Sequence, residues 1–143
     1  AQIMDDTTAA QKAIEQFSQQ AQEAAKSGEH KLAMLCYKKI FALDPGRFGI
    51  FDTIAKMYYD AKNYDQALEA YHEKIQKIKP TERDYFYMGN CHMQLKNYPM
   101  ADSAYAKVNE LNPTYAKGWY TRARIKVALD ADNERKTMAK PFY

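Results

Sequence analysis

Apolar residues recur three and four positions apart along most of this chain, and the pattern breaks at regular places. That spacing puts oily side chains on one face of a helix and leaves the other face wet. It predicts a first set of helices near 14–27, 48–61, 82–95 and 115–129. A second set is predicted near 30–42, 64–78 and 98–111. The short stretches SGEH (27–30), AKNY (61–64) and LKNY (95–98) interrupt the periodicity between members of a pair. Pro45, Pro80 and Pro113 follow the second helices, where a missing amide donor and a restricted preceding residue stop the chain from running on helically. Pro99, by contrast, falls in a first turn, where proline is tolerated. Each pair therefore reads as helix, tight turn and antiparallel helix.

The pairs are copies of one another. NYPMADSAY at 97–105 echoes NYDQALEAY at 63–71, a displacement of 34 residues. At that period Phe17, Phe51, Tyr85 and Trp119 form an aromatic column, and Ala21, Ala55, Gly89 and Ala123 a column of tiny residues. Ala33, Ala67 and Ala101 are identical, as are Tyr37, Tyr71 and Tyr105. A tiny residue lets two helices cross closely, and the aromatic four places earlier lies one turn back on the same face. Small beside large in the second helix lets facing layers interlock.

These columns resemble the tetratricopeptide repeat, whose pattern runs W-x₂-L-G-x₂-Y, then A-x₃-F, then P. The unit that matches best reads Tyr85-x-x-Met88-Gly89-x-x-His92, Ala101-x-x-x-Tyr105, Pro113. Units starting near Ile14 and Phe48 carry Ala in place of Gly. The resemblance implies an all-α fold, a right-handed α-solenoid of antiparallel helix pairs with about three and a half units. Residues 1–13 are expected to form an N-terminal extension or partial helix ahead of an array of units at 14–47, 48–81, 82–115 and an incomplete 116–143. The fourth unit departs from the pattern. Its Ala/Tyr pair, Ala139 and Tyr143, comes late, after LDADNERKT, and DADNE (130–134) reads as a plain acidic loop. A calcium loop is not expected there, because Arg135 and Pro141 stand where it needs Gly and Glu. With no polar cap in sight, the chain reads as a fragment of a longer array, or as one whose open end another chain covers.

The resemblance further implies that first helices line a concave groove. The residues expected there are Asp52, Lys56 and Tyr59, then Arg83, Phe86, Asn90 and Met93, then Lys117, Tyr120, Arg124 and Val127. The first unit offers the blander Glu15, Ser18, Gln22 and Lys26. From the second unit onward this lining is basic and aromatic. Arginine recognises carboxylates with a planar fork and the rings give flat apolar contact, so an extended peptide with acidic or aromatic side chains is the expected guest. Chaperone-binding members of the family hold a terminal carboxylate with Lys and Asn, then Asn, then Lys and Arg. Ser18, Gln22, Thr53, Arg83 and Tyr87 stand in those places, and sliding one unit gives Asp52, Lys56, Tyr87, Lys117 and Thr121. Neither frame keeps the set, so chaperone-tail binding is not expected. A non-catalytic protein-interaction module is the leading expectation. The alternative is an assembly module that self-associates, as a homodimer, or stacks on adjacent domains through the uncapped last unit.

Composition narrows the field. Hydrophobic residues make up 46% of the chain, yet mean hydropathy is −0.70, and no run approaches the roughly 20 apolar residues of a membrane span. A soluble protein is expected, cytoplasmic, or exported if Ala1 is a processed terminus. The 21 Lys and Arg are interspersed with 18 Asp and Glu. Lys117, Arg122, Arg124 and Lys126 lie near Trp119 but point to different sides, so no nucleic-acid partner is expected. His30, His72 and His92 fall at unrelated places with no acid or nucleophile at a useful spacing, and no catalysis, metal or cofactor is expected. Cys36 and Cys91 read as buried free thiols in separate units.

Overall fold

A computed structural model describes the backbone of residues 2–138 and the side chains of residues 6–138. Among the described residues every regular element is a helix, and the fold is an all-α repeat of helical hairpins. The chain divides into two compact units, residues 1–78 and residues 79–143.

The first unit contains α1 (Gln2–Lys26), α2 (His30–Leu43), α3 (Gly49–Asp60) and α4 (Tyr64–Lys77). Within it α1 packs on α2, α2 on α3, and α3 on α4. The second unit contains α5 (Glu82–Gln94), α6 (Tyr98–Leu111) and α7 (Ala116–Met138), with α6 packed against both of its neighbours. Helix ends fall within one or two residues of those the periodicity predicts, with two exceptions. Helix α1 starts at Gln2, well ahead of residue 14, and α7 runs on to Met138.

The alanine columns are the seams of the hairpins. Ala21, Ala33, Ala55, Ala67 and Ala101 are each fully buried, at 0% exposure. Tyr71 and Tyr105 are buried beside them, while Tyr37 is half-buried. In the second unit Ala101, Tyr105, Val108 and Ile125 form a continuous core, with Tyr85, Phe86, Met93 and Leu129 packed against it. Cys36 and Cys91 are buried and free.

The 34-residue rhythm extends to the backbone. Gly28, Lys62 and Lys96 occupy the same place in the three hairpin turns, and all three adopt positive φ, at 81°, 61° and 58°. After each, the next amide reaches back to close the turn: Glu29 to Ala24, Asn63 to Tyr58 and Asn97 to His92, every one at 2.8 Å. This is the left-handed closure that satisfies orphan carbonyls at a helix end.

The fourth copy of that turn does not form. The period would place it at Asp130, but α7 is continuous through LDADNERKT, so the acidic loop expected over 130–134 is helix instead. The residues explain why. Where earlier turns carry Glu29, Asn63 and Asn97, this one has Ala131, a strong helix former. Where they carry His30, Tyr64 and Tyr98, it has Asp132, whose carboxylate pairs inside the helix with Lys136 at 3.0 Å and Arg135 at 3.8 Å. The pair Ala139 and Tyr143 lies outside the described residues.

Candidate functional site

The start of α5 is fixed by a reciprocal cap. The Thr81 hydroxyl accepts from the Asp84 amide, and the Asp84 carboxylate accepts from the Thr81 amide at 2.9 Å. Asp84 is thereby buried with its charge satisfied, and the next turn, bearing Arg83, Phe86 and Tyr87, is held in place. Opposite it, the α6–α7 connection carries Tyr115. Trp119 ties down that connection by donating its indole N–H to the Pro113 carbonyl at 3.0 Å.

Between these two pieces lies a cleft of about 260 Å³ lined by Glu82, Arg83, Phe86, Tyr87, Val108 and Tyr115. Phe86 is its floor. Its ring makes steeply angled contacts with Tyr87 at 5.6 Å, Tyr115 at 6.1 Å and Tyr105 at 6.1 Å between centroids. Two cations stand at the rim over ring faces: Arg83 lies 5.6 Å from the Tyr87 centroid and the Lys117 ammonium 5.7 Å from that of Phe86. Both side chains are exposed, and neither has an ion-pair partner among the described residues. An apolar or aromatic side chain can enter such a cleft while a carboxylate beside it meets the cations.

Three of the residues expected from sequence, Arg83, Phe86 and Lys117, come together here. Tyr115 joins them although periodicity does not mark it, because it lies in a connection and belongs to no repeated column. Asn90 and Met93 face inward: the Tyr105 hydroxyl donates to Asn90 Oδ1, and Met93 packs on the core. Tyr120 and Arg124 lie along α7, with the guanidinium 5.9 Å from the Tyr120 ring centroid, and Val127 is exposed further along it.

In the first unit Asp52, Lys56 and Tyr59 are each engaged within the α3–α4 hairpin. Asp52 receives two bonds from the buried Lys74 ammonium, at 2.9 and 3.1 Å. Lys56 pairs with Asp60, and Tyr59 meets Tyr64 edge-on. Glu15, Ser18 and Gln22 line a polar hollow with Arg47. A wider hollow of about 780 Å³, bordered by His30, Leu32, Met34, Leu35 and Tyr58, contains none of the expected groove residues.

Acid–base chemistry is not assembled around the thiols. Burial pushes the Cys91 thiol up to about 12, far from a reactive thiolate. Among the described residues no group of three or more His, Cys, Asp or Glu could hold a metal ion, and no helix is long and apolar enough to cross a membrane.

A family model described as tetratricopeptide repeat matches residues 85–115, the hairpin that carries most of this cleft. That hairpin carries the tetratricopeptide-repeat pattern, and the hairpins before it share its 34-residue period. Human tetratricopeptide repeat protein 12 is 24% identical over 117 residues, covering 80% of this chain. The chain spans only 17% of that protein's length. Among solved structures, the C-terminal part of a TPR repeat-containing protein from Cytophaga hutchinsonii superposes with a TM-score of 0.68 at 26% identity, covering 83% of this chain and 46% of that one. The first TPR of Spaghetti (RPAP3), bound to an HSP90 peptide, superposes with a TM-score of 0.63 at 20% identity, covering 83% and 94%. The missing fourth turn lies beyond the stretch that the family model matches.

Proposed function

We propose that this TPR chain is a non-catalytic protein-interaction module that captures an extended acidic peptide. In this reading one aromatic or branched aliphatic side chain of the peptide enters the Phe86–Tyr87–Tyr115 cleft. A carboxylate next to it pairs with Arg83 and Lys117. The observation that carries the reading is the juxtaposition of an open ring-lined cleft with two exposed cations that form no ion pair among the described residues, although Glu82 also lines the cleft. The peptide-bound Spaghetti structure supports peptide capture by this fold in general. The clamp for a terminal carboxylate is not carried over, so the chemistry proposed is side-chain recognition within a segment. Asp52, Lys56 and Tyr59 are not needed for it.

The test is a library of acidic peptides, each carrying one aromatic residue, titrated against the wild-type chain and the Arg83→Glu/Lys117→Glu variant. Binding that weakens with salt and falls at least about tenfold in the variant, at unchanged melting temperature, is the expected result. Retention of no library member, or equal binding by both proteins, would sink the reading. Tyr115→Ala provides an uncharged check, because it opens the cleft wall without touching either cation.

A further inference from the structure

Helix α7 has two unlike faces. One, through Gly118 and Ile125, is buried against α6, and Arg122 on the same side pairs with Asp102 at 3.0 Å. The opposite face is bare. Tyr120 is 65% and Val127 69% exposed, and Ala123 is exposed although its counterparts Ala21, Ala55 and Gly89 are all buried. A tiny residue at that column marks a place built for close helix approach, and among the described residues nothing approaches it.

The order of side chains along this face specifies a partner. Taking Val127 as the midpoint, the residues three, four and seven places before it are Arg124, Ala123 and Tyr120; those three, four and seven places after it are Asp130, Ala131 and Glu134. These offsets share one side of a helix. An antiparallel copy of α7 with Val127 on the two-fold axis therefore sets Arg124 against Asp130, Ala123 against Ala131, and the Tyr120 hydroxyl against the Glu134 carboxylate, each of them twice. The alanines allow the backbones to come close, near the short end of the roughly 8–10 Å range of packed helices. The charges match only in the antiparallel sense, since a parallel copy opposes like to like. Arg124, Asp130 and Glu134 have no ion-pair partner among the described residues, so these charges are available.

We infer that the outer face of α7 is a self-complementary docking surface for a second copy of this chain, paired antiparallel about Val127. Such a contact is isologous and closes at two copies, with no tendency to form filaments. It is independent of the peptide reading, which rests on other residues.

Sedimentation of the full chain, the Arg124→Asp variant, the Asp130→Arg variant and an equimolar mixture of the two variants tests it. The wild type should pass from monomer to dimer with rising concentration. Each variant alone should self-associate at least about tenfold more weakly, because like charges now meet at the seam. Mixing them should restore the dimer, since every opposed pair is then of opposite sign. Circular dichroism shows whether each variant is folded. Val127→Cys gives a second measurement: mild oxidation should link two copies, while the buried Cys36 and Cys91 leave the wild type unlinked. A wild type that stays monomeric at high concentration, variants that dimerise as well as it does, a mixture that fails to recover, or a Val127→Cys chain that does not cross-link would each overturn the inference.

Discussion

The ring of Tyr105 fills the space that a Cβ on residue 89 would need. An ideal Cβ built there lies 2.8 Å from Cε1 and 2.9 Å from Cζ. The ring cannot easily step aside, because it is buried in the core and its hydroxyl is held by Asn90. Gly89→Ala is therefore expected to destabilise the protein although alanine is worth about 1 kcal/mol over glycine in a helix. The net cost should be about 1–3 kcal/mol, and larger for leucine. Urea denaturation measures it. In a Tyr105→Leu background the same change should become neutral or stabilising, which separates ring contact from any other effect of the glycine.

Lys62 and Lys96 occupy the left-handed backbone region that Gly28 occupies in the first turn. A side chain there crowds its own carbonyl, at a cost of roughly 1–2 kcal/mol, and glycine loses part of that advantage through its freer unfolded chain. Lys62→Gly and Lys96→Gly should each raise stability by about 0.5–1 kcal/mol, read as paired shifts in melting temperature. Gly28→Ala should move it the other way, even though open space surrounds that position.

Cys91 gives the protein an alkaline weakness. The folded thiol is pushed up to about 12 by burial, against an ordinary value of 9.0. Below pH about 9 the thiol is neutral whether the chain is folded or not, and its contribution is intact. Above that the unfolded thiol ionises while the folded one does not, so stability is lost as pH rises toward the folded value, by up to about 1.4 kcal/mol per pH unit. Tyr37 and Tyr58, raised chiefly by burial, add losses of the same sign at higher pH. Between pH about 7.5 and about 10.5 the wild type should lose roughly 2 kcal/mol more than Cys91→Ala. Denaturation midpoints at the two pH values decide it; equal losses in both proteins would rule out the thiol as the cause.

Much of the fold was legible because the same physical demand recurs every 34 residues. Ala33, Ala67 and Ala101 mark seams with no room for a longer side chain, and all three are fully buried. The rhythm ends where local chemistry outweighs it. At Asp130 the period calls for a turn, but Ala131 and the internal pairs of Asp132 favour helix, and local preference prevailed. The cleft was half legible. Arg83, Phe86 and Lys117 were visible as outward positions on first helices, whereas Tyr115, in a connection of no fixed phase, could not be seen by periodicity. Nor could the role of Asn90, since its acceptor oxygen is committed to a tyrosine fifteen residues away.

Phe86 lines the cleft and also packs, its ring centroid 6.1 Å away, on Tyr105, the ring that closes the hairpin over Gly89. Occupancy of the cleft and cohesion of the α5–α6 hairpin are therefore thermodynamically linked through one phenyl group. A bound guest would slow hydrogen exchange of amides deep in that hairpin, and any change that loosens the hairpin would weaken the guest's hold without touching a single group it meets.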